Sequence, residues 1–80
     1  MESRFARWTF GRWILDRYLG KNNPAGDLAG DIKDDDQFPN SADFTVVASY
    51  LMSQAPCQDC WEVFLATWKK YTRWLVKEWA

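Results

Sequence analysis

The sequence predicts an all-α fold, a compact bundle of four helices with a long C-terminal helix. Apolar residues recur at spacings of three and four along four segments, glycine or proline residues separate those segments, and no stretch carries a strand pattern. The chain has 80 residues, which indicates one domain whose core must be rich in large side chains. Six tryptophans, five phenylalanines and three tyrosines meet that need.

The first helix is predicted to follow a short arm. Residues 1–8 lack a helical period and are expected to form this N-terminal arm, and residues 9–80 a single helical domain. Thr9 is a candidate N-cap, and Gly20 stands where a helix end is expected. Gly11 weakens this helix by up to about 1 kcal/mol relative to alanine, unless a neighbouring backbone approaches it closely. The apolar face consists of Phe10, Trp13, Ile14, Tyr18 and Leu19.

The second helix lies in the short acidic segment of residues 26–39. Leu28 and Ile32 are four residues apart, so a helix here shows one narrow apolar stripe and buries it. Phe38 precedes a proline, which disfavours helical geometry, and we expect the helix to end with this ring turned inward. These three side chains are predicted to be the contacts over which the other helices close.

The remaining helix ends carry recognisable capping and breaking residues. Asn23 or Gly26 is expected to start the second helix, and Ser41 to cap the third with Asp43 in its first turn. The third helix should end before Ala55–Pro56. Its predicted buried stripe consists of Phe44, Val47, Ala48 and Leu51.

The fourth helix is predicted to be the longest, from about Cys57 to Glu78. Trp74 and Val76 lie off its main apolar stripe, so its last turns are aromatic on more than one side. The stripe itself consists of Trp61, Phe64, Leu65, Trp68, Tyr71, Leu75 and Trp79.

The charge is distributed unevenly along the chain. Residues 1–21 carry five basic and two acidic side chains, residues 22–63 one basic and eight acidic, and residues 64–80 four basic and one acidic. Such asymmetry indicates either a partner surface or neighbouring helices of opposite charge. No signal-peptide pattern or long apolar span is visible, so we expect a cytoplasmic protein without membrane contact and with reduced cysteines.

The order of these signals resembles the YozE SAM-like family of small bacterial and phage proteins over residues 9–71. The resemblance implies a compact bundle similar to a sterile alpha motif, in proteins whose biochemical role is largely undefined. The arm with Trp8 and the extension with Trp74 and Trp79 depart from the pattern. The residues that carry the resemblance are the motif Gly26-Asp27-Leu28-Ala29-x-Asp31-Ile32-x-x-Asp35-x-x-Phe38-Pro39, then Asp43, Tyr50-Leu51, Cys57 through Phe64, Trp68 and Tyr71.

The Cys57–Cys60 pair has the spacing of a redox motif at a predicted helix N-terminus, where a thiolate is favoured. Redox catalysis would also require the strand and helix context of a thioredoxin fold. A zinc site would require four ligands, and the chain offers two thiols and no histidine. We therefore expect a structural role, with Cys60 buried as a small apolar residue and Cys57 near the helix cap.

The acidic residues after residue 26 could suggest a cation site, but they lack the loop spacing and glycine turn of a calcium-binding hand. A solvated helix face or a partner surface is the preferred interpretation. Without histidine, phosphate-binding loop or nucleophile motif, the chain is not expected to be an enzyme or to hold a cofactor or metal. The candidate acidic face consists of Asp27, Asp31, Asp34 and Asp35.

We therefore expect a non-enzymatic binding module that acts on another protein or on itself, as an adaptor, an inhibitor or a self-associating unit. Surplus aromatic and basic residues near the chain ends are the candidate partner contacts. They are Trp8, Trp74, Trp79, Arg73 and Lys77. The alternative is nucleic-acid binding by a basic surface on the first and last helices, although a pI near 5.2 opposes it. That surface would contain Arg4, Arg7, Arg12, Arg17, Lys69, Lys70, Arg73 and Lys77.

Overall fold

The computed structural model describes residues 8–79, with side chains up to residue 77, and these residues form four helices and no strand. The predicted all-α bundle is therefore confirmed. The helices are α1 (Phe10–Tyr18), α2 (Pro24–Lys33), α3 (Phe44–Ser53) and the long α4 (Gln58–Trp79). Residues 1–7 of the predicted arm lie outside the described residues.

The start of α1 is tied to the loop that precedes α3. Thr9 is the N-cap, as predicted, and its Oγ1 accepts a hydrogen bond from the backbone N–H of Arg12. The same hydroxyl donates to Asn40 Oδ1 at 2.7 Å, and the Phe10 N–H donates to the Ser41 carbonyl at 3.1 Å. Because the 40–41 loop is bonded to the first turn of α1, it cannot also begin the next helix.

This bonding explains why the predicted N-cap of α3 is wrong. Asp43, and not Ser41, caps α3, because its side chain accepts from the Thr45 N–H at 2.8 Å. Ser41 Oγ instead accepts from the Asp43 N–H at 2.9 Å and supports the turn before the helix. The end of α3 follows the prediction, since Ala55 adopts φ +50° immediately before Pro56.

Asn23 and Pro24 together form the start of α2. Asn23 is the N-cap, its Oδ1 accepting from the Gly26 N–H at 2.8 Å, and Pro24 occupies the first helical position. The helix ends at Lys33, with Asp34 as C-cap, so Phe38 lies beyond it in a separate turn. Phe38 is half-buried and forms an edge-to-face contact with Tyr50, their ring centroids 5.7 Å apart.

The Phe38 ring also explains Gly11. A Cβ placed on Gly11 would lie 3.4 Å from Phe38 Cε1, so the close neighbour of this helical glycine is a side chain and not a backbone. Ile32 is buried, whereas Leu28 and Phe38 are half-buried against the core. All three residues therefore contact the core, although only Ile32 lies within it.

The core is built around Phe10, whose ring contacts three aromatic rings of α4. Centroid distances are 5.5 Å to Phe64, 4.8 Å to Trp68 and 5.5 Å to Tyr71. Helices α1, α2 and α4 pack against one another pairwise. The buried apolar residues are Phe10, Trp13, Ile14, Ala29, Ile32, Val47, Ala48, Phe64, Trp68 and Tyr71.

Two residues assigned to buried stripes from the sequence are exposed. Leu19 is 42% exposed because it lies after the last turn of α1 as the C-cap. Phe44 is 41% exposed at the start of α3, where its ring stacks on Phe64 with the centroids 5.9 Å apart. Helix α3 reaches the core instead through Val47 and Ala48.

Candidate functional site

The predicted partner contacts Trp8 and Trp74 pack against each other. Their ring centroids are 5.4 Å apart in an edge-to-face arrangement, and both residues are half-buried against the core. The indole N–H of Trp74 is buried and has no acceptor among the described residues, so it is not presented to a partner. The side chain of Trp79 lies outside the described residues.

Two arginines of α1 cover these indoles. The Arg12 guanidinium lies 4.8 Å from the centre of the Trp8 ring, and that of Arg17 lies 5.4 Å from the centre of the Trp74 ring. Cation–π contacts of this kind stabilise a fold modestly at exposed positions. The structure therefore joins the two predicted tryptophans to part of the predicted basic surface.

The predicted basic residues of α4 lie on an exposed face. Arg73 and Lys77 are exposed and line, with Lys69 and Val76, a shallow depression of about 510 Å³. Val76 is 68% exposed, so the face combines positive charge with a small apolar surface. Arg4 and Arg7, which complete the predicted basic surface, lie outside the described residues.

The four residues of the predicted acidic face have different environments. Asp34 caps the C-terminus of α2, and Asp35 lies beyond the helix, where it accepts a 2.5 Å hydrogen bond from the Tyr50 hydroxyl. This hydrogen bond, with desolvation and the Asp35 charge, raises the pKa of Tyr50 above its usual 10.0. Asp27 and Asp31 remain on the exposed surface of α2 and line a groove.

This groove lies between α2 and α4 and has a volume of about 540 Å³. A narrower cleft of about 260 Å³ adjoins it, and the two share Leu28, Asp31 and Cys60. The narrower cleft extends towards Leu51, at the C-terminal end of α3, and Trp61 of α4. The groove could not be predicted from the sequence, because its two walls are far apart along the chain.

The α2–α4 groove combines apolar and acidic groups. Four carboxylates occur in pairs spaced by one helical turn, two on α2 and two on α4. Among the described side chains, no lysine or arginine lines the groove. The carboxylates are Asp27, Asp31, Asp59 and Glu62, and the apolar residues between them include Leu28, Val63 and Ala66.

Cys60 lines this groove and the adjoining cleft, and Cys57 lies three residues before it in the sequence. Both are free and exposed, which contradicts the expectation that Cys60 is buried. Cys57 lies directly before α4, and its Sγ accepts a hydrogen bond from the Cys60 N–H at 3.2 Å. The neighbouring Cys60 thiol, and after it the Cys60 backbone amide, lower the pKa of Cys57, and the Cys57 thiol raises the pKa of Cys60.

The described part of the chain contains neither a cluster of metal ligands nor a membrane-spanning helix. No three His, Cys, Asp or Glu side chains are grouped closely enough to hold a metal ion. None of the described helices has the length and apolar character needed to cross a membrane.

The profile of the family described as YozE SAM-like fold matches residues 9–73, which include α1 to α3, most of α4 and every residue that lines the groove. No curated protein and no solved structure matches the chain. Because the profile covers most of the sequence, the chain belongs to the YozE SAM-like fold family.

Proposed function

We propose that the protein is a non-enzymatic binding module and that the α2–α4 groove receives a basic, amphipathic segment of another protein. The observation that carries the proposal is the composition of the groove, in which apolar residues lie between two pairs of carboxylates and no described basic side chain neutralises them.

The geometry supports a helical ligand. Asp27 and Asp31 are one turn apart on one wall, and Asp59 and Glu62 are one turn apart on the other. A helix lying between the walls would place apolar side chains against Val63 and basic side chains at each edge. This is the helix-in-groove mode of recognition, in which apolar contacts supply affinity and rim charges supply orientation.

A binding role also fits the chemistry that the chain offers. It contains no histidine, and the groove carboxylates are exposed, whereas acid–base catalysis by carboxylates requires one of them to be held protonated in an apolar site. A cytoplasmic location, in which thiols stay reduced, fits the two free cysteines. Adaptor and inhibitor roles both follow from such binding.

The proposal is tested by selecting random 12-residue peptides displayed on phage against the purified protein. We expect the selected peptides to be enriched in lysine and arginine beside apolar residues. The double substitution Asp27→Asn and Asp31→Asn should weaken the binding of these peptides about fivefold, which is the effect of losing two exposed ion pairs. The matched control is Asp16→Asn with Asp36→Asn, which removes two exposed carboxylates outside the groove.

A second pair of variants tests the apolar part of the groove. Val63→Thr keeps the shape of the side chain but adds a hydroxyl, and it should also weaken the selected peptides. Val46→Thr, on the exposed part of α3, should leave binding unchanged. Peptides without a basic bias, or peptides that bind the groove variants and the controls equally, would exclude the proposal. Dimerisation that depends on the same carboxylates would identify a second copy as the occupant.

The predicted contacts near the chain ends remain a separate prediction. Trp8 and Trp74 are engaged with each other, which leaves Arg73, Lys77 and the exposed Val76 as the groups most available to a partner. If this face binds a protein, Arg73→Ala and Lys77→Ala should both weaken capture of the same partner in a pull-down while the helical content is retained.

Nucleic-acid binding remains the alternative because of one observation, the exposed basic face of α4. Filter retention of single-stranded DNA across a salt series tests it. Arg73→Glu with Lys77→Glu should abolish retention if this face binds phosphates. Lys21→Glu with Lys33→Glu is the matched control, since both lysines are exposed on other elements. A wild-type protein that retains no DNA at low salt would exclude this function.

A further inference from the structure

The Cys57–Cys60 pair has the geometry of a reactive dithiol, independently of the proposed binding function. Cys57 lies where the N-cap of α4 belongs: its carbonyl accepts from the Trp61 N–H at 3.0 Å, and its sulfur accepts from the Cys60 N–H at 3.2 Å. A sulfur atom therefore takes the place of the oxygen that usually caps a helix. The amide and the positive end of the helix dipole both favour the thiolate form.

The spacing of the pair allows a disulfide to close. Residues three apart on a helix have their Cβ atoms roughly 5–6 Å apart, and a disulfide requires roughly 3.5–4.5 Å, so closure needs a shift of roughly 1–2 Å. Cys57 lies before the first residue of α4, so this shift does not require the helix to unwind. The Cys57 sulfur is already held against the first turn of α4 by the Cys60 N–H, and both residues are exposed, so an external disulfide has access. Neither cysteine belongs to the core, so oxidation does not require unpacking.

The surroundings of the pair select for charge. Asp59 lies between the two cysteines at the start of α4, and its negative charge disfavours the thiolate of Cys57. The negative charge of Asp31, across the groove, disfavours the thiolate of Cys60. These carboxylates repel an anionic reagent and attract a cationic one. We propose that Cys57 and Cys60 form a thiol–disulfide exchange site that reacts preferentially with small disulfides carrying positive charge.

The exchange has two balanced steps. The Cys57 thiolate attacks one sulfur of the disulfide RSSR, which forms a Cys57–SR mixed disulfide and releases RS⁻. Cys60 then loses its proton, attacks the Cys57 sulfur and releases the second RS⁻. The protein dithiol is oxidised to one intramolecular disulfide, and RSSR is reduced to two thiols. Cys57 attacks first because its sulfur is the one that the helix amide stabilises.

The test uses the full chain and three disulfides of similar size: cystamine, which is cationic, hydroxyethyl disulfide, which is neutral, and dithiodiglycolate, which is anionic. Mass spectrometry of acid-quenched samples follows each reaction. We expect wild type to end as an intramolecular disulfide, and Cys60→Ser to stop as a mixed disulfide with cysteamine. Cys57→Ser should form its adduct more slowly, and serine preserves the cap.

The charge preference supplies an independent measurement. Coulomb attraction by the two carboxylates should make cystamine react about fivefold faster than the neutral disulfide at low salt, and added salt should reduce this ratio. Asp59→Asn and Asp31→Asn should lower it, whereas Asp16→Asn should not. Equal rates for the Cys57→Ser and Cys60→Ser variants, two adducts on wild type, or dithiodiglycolate reacting as fast as cystamine would each overturn the inference. Circular dichroism shows whether each variant keeps its helices.

Discussion

The close contact between Gly26 and the preceding loop allows a sharp test of the fold. Gly26 is buried in the first turn of α2, and a Cβ added to it would lie 2.0 Å from the Lys21 carbonyl oxygen and 2.8 Å from the carbonyl carbon. Both atoms belong to the backbone, so no rotation of a side chain relieves the overlap. Gly26→Ala must therefore displace the loop between α1 and α2.

The size of the effect follows from competing contributions. Overpacking of this kind costs about 1–3 kcal/mol, and displacement of the loop also weakens the Asn23 cap, which contributes about 1 kcal/mol. Alanine regains up to about 1 kcal/mol of helix propensity. We therefore expect Gly26→Ala to lower the free energy of unfolding by about 2 kcal/mol. An 80-residue domain has a total of only about 4–12 kcal/mol.

The same helix offers a matched control. A Cβ on Gly30, one turn later, would have no atom within 4 Å, so Gly30→Ala should gain helix propensity and stabilise the protein by about 0.5–1 kcal/mol. Urea unfolding followed by circular dichroism measures both variants. If Gly26→Ala proved as stable as Gly30→Ala, the Lys21 carbonyl could not lie over Gly26, and the described packing of α1 against α2 would be wrong.

Two further predictions concern the aromatic core. Phe64→Ala should lower the free energy of unfolding by about 3–5 kcal/mol, because Phe64 is fully buried. Phe44 stacks on Phe64 but is 41% exposed, so Phe44→Ala should lower the free energy of unfolding by less than half as much. Thermal unfolding measures both variants. Burial raises the pKa of Tyr71 from 10.0 to about 12, so the folded state retains the phenol proton more strongly. This stabilisation should be fully present below about pH 10 and be lost as the pH rises towards 12, and urea titrations should show wild type losing its advantage over Tyr71→Phe in that range. A difference between these two proteins that stays constant with pH would contradict this explanation.

The sequence was sufficient to predict what depends on local periodicity. Helical spacing identified the buried faces of α1 and α4, and the Asn23–Pro24 pair identified the start of α2. Ser41 failed as a predicted cap because a tertiary bond, from Phe10 to the Ser41 carbonyl, holds it in the preceding loop. Two residues with similar capping ability stood close together, and only the fold decided between them.

The groove could not be predicted from local sequence patterns, because it is formed by the packing of two helices. Asp27 and Asp31 were recognised as one face of α2, but only the packing of α2 against α4 sets them opposite Asp59 and Glu62. The acidic pair on α4, three residues apart beside the cysteines, was the available signal. Its significance could not be assessed without knowing which helices are neighbours.

The exposure of Cys60 was predicted wrongly for a related reason. A free cysteine is most often buried, and that tendency led to the expectation of a buried residue. Cys60 lies in the first turn of α4, where it lines both the groove and the adjoining cleft, and its side chain is exposed. The position of a helix start relative to its neighbours decides burial there.

The hydrogen bond from the Tyr71 hydroxyl to the Trp8 carbonyl joins residues 63 positions apart and has a consequence for biosynthesis. Phe10 is covered only when Phe64, Trp68 and Tyr71 of α4 have been translated. The nascent α1 and α2 can therefore pack against each other, but the Phe10 ring stays uncovered until the last helix emerges. A polypeptide terminated before Tyr71 would consequently be a substrate for chaperones and proteases, and not a smaller functional domain.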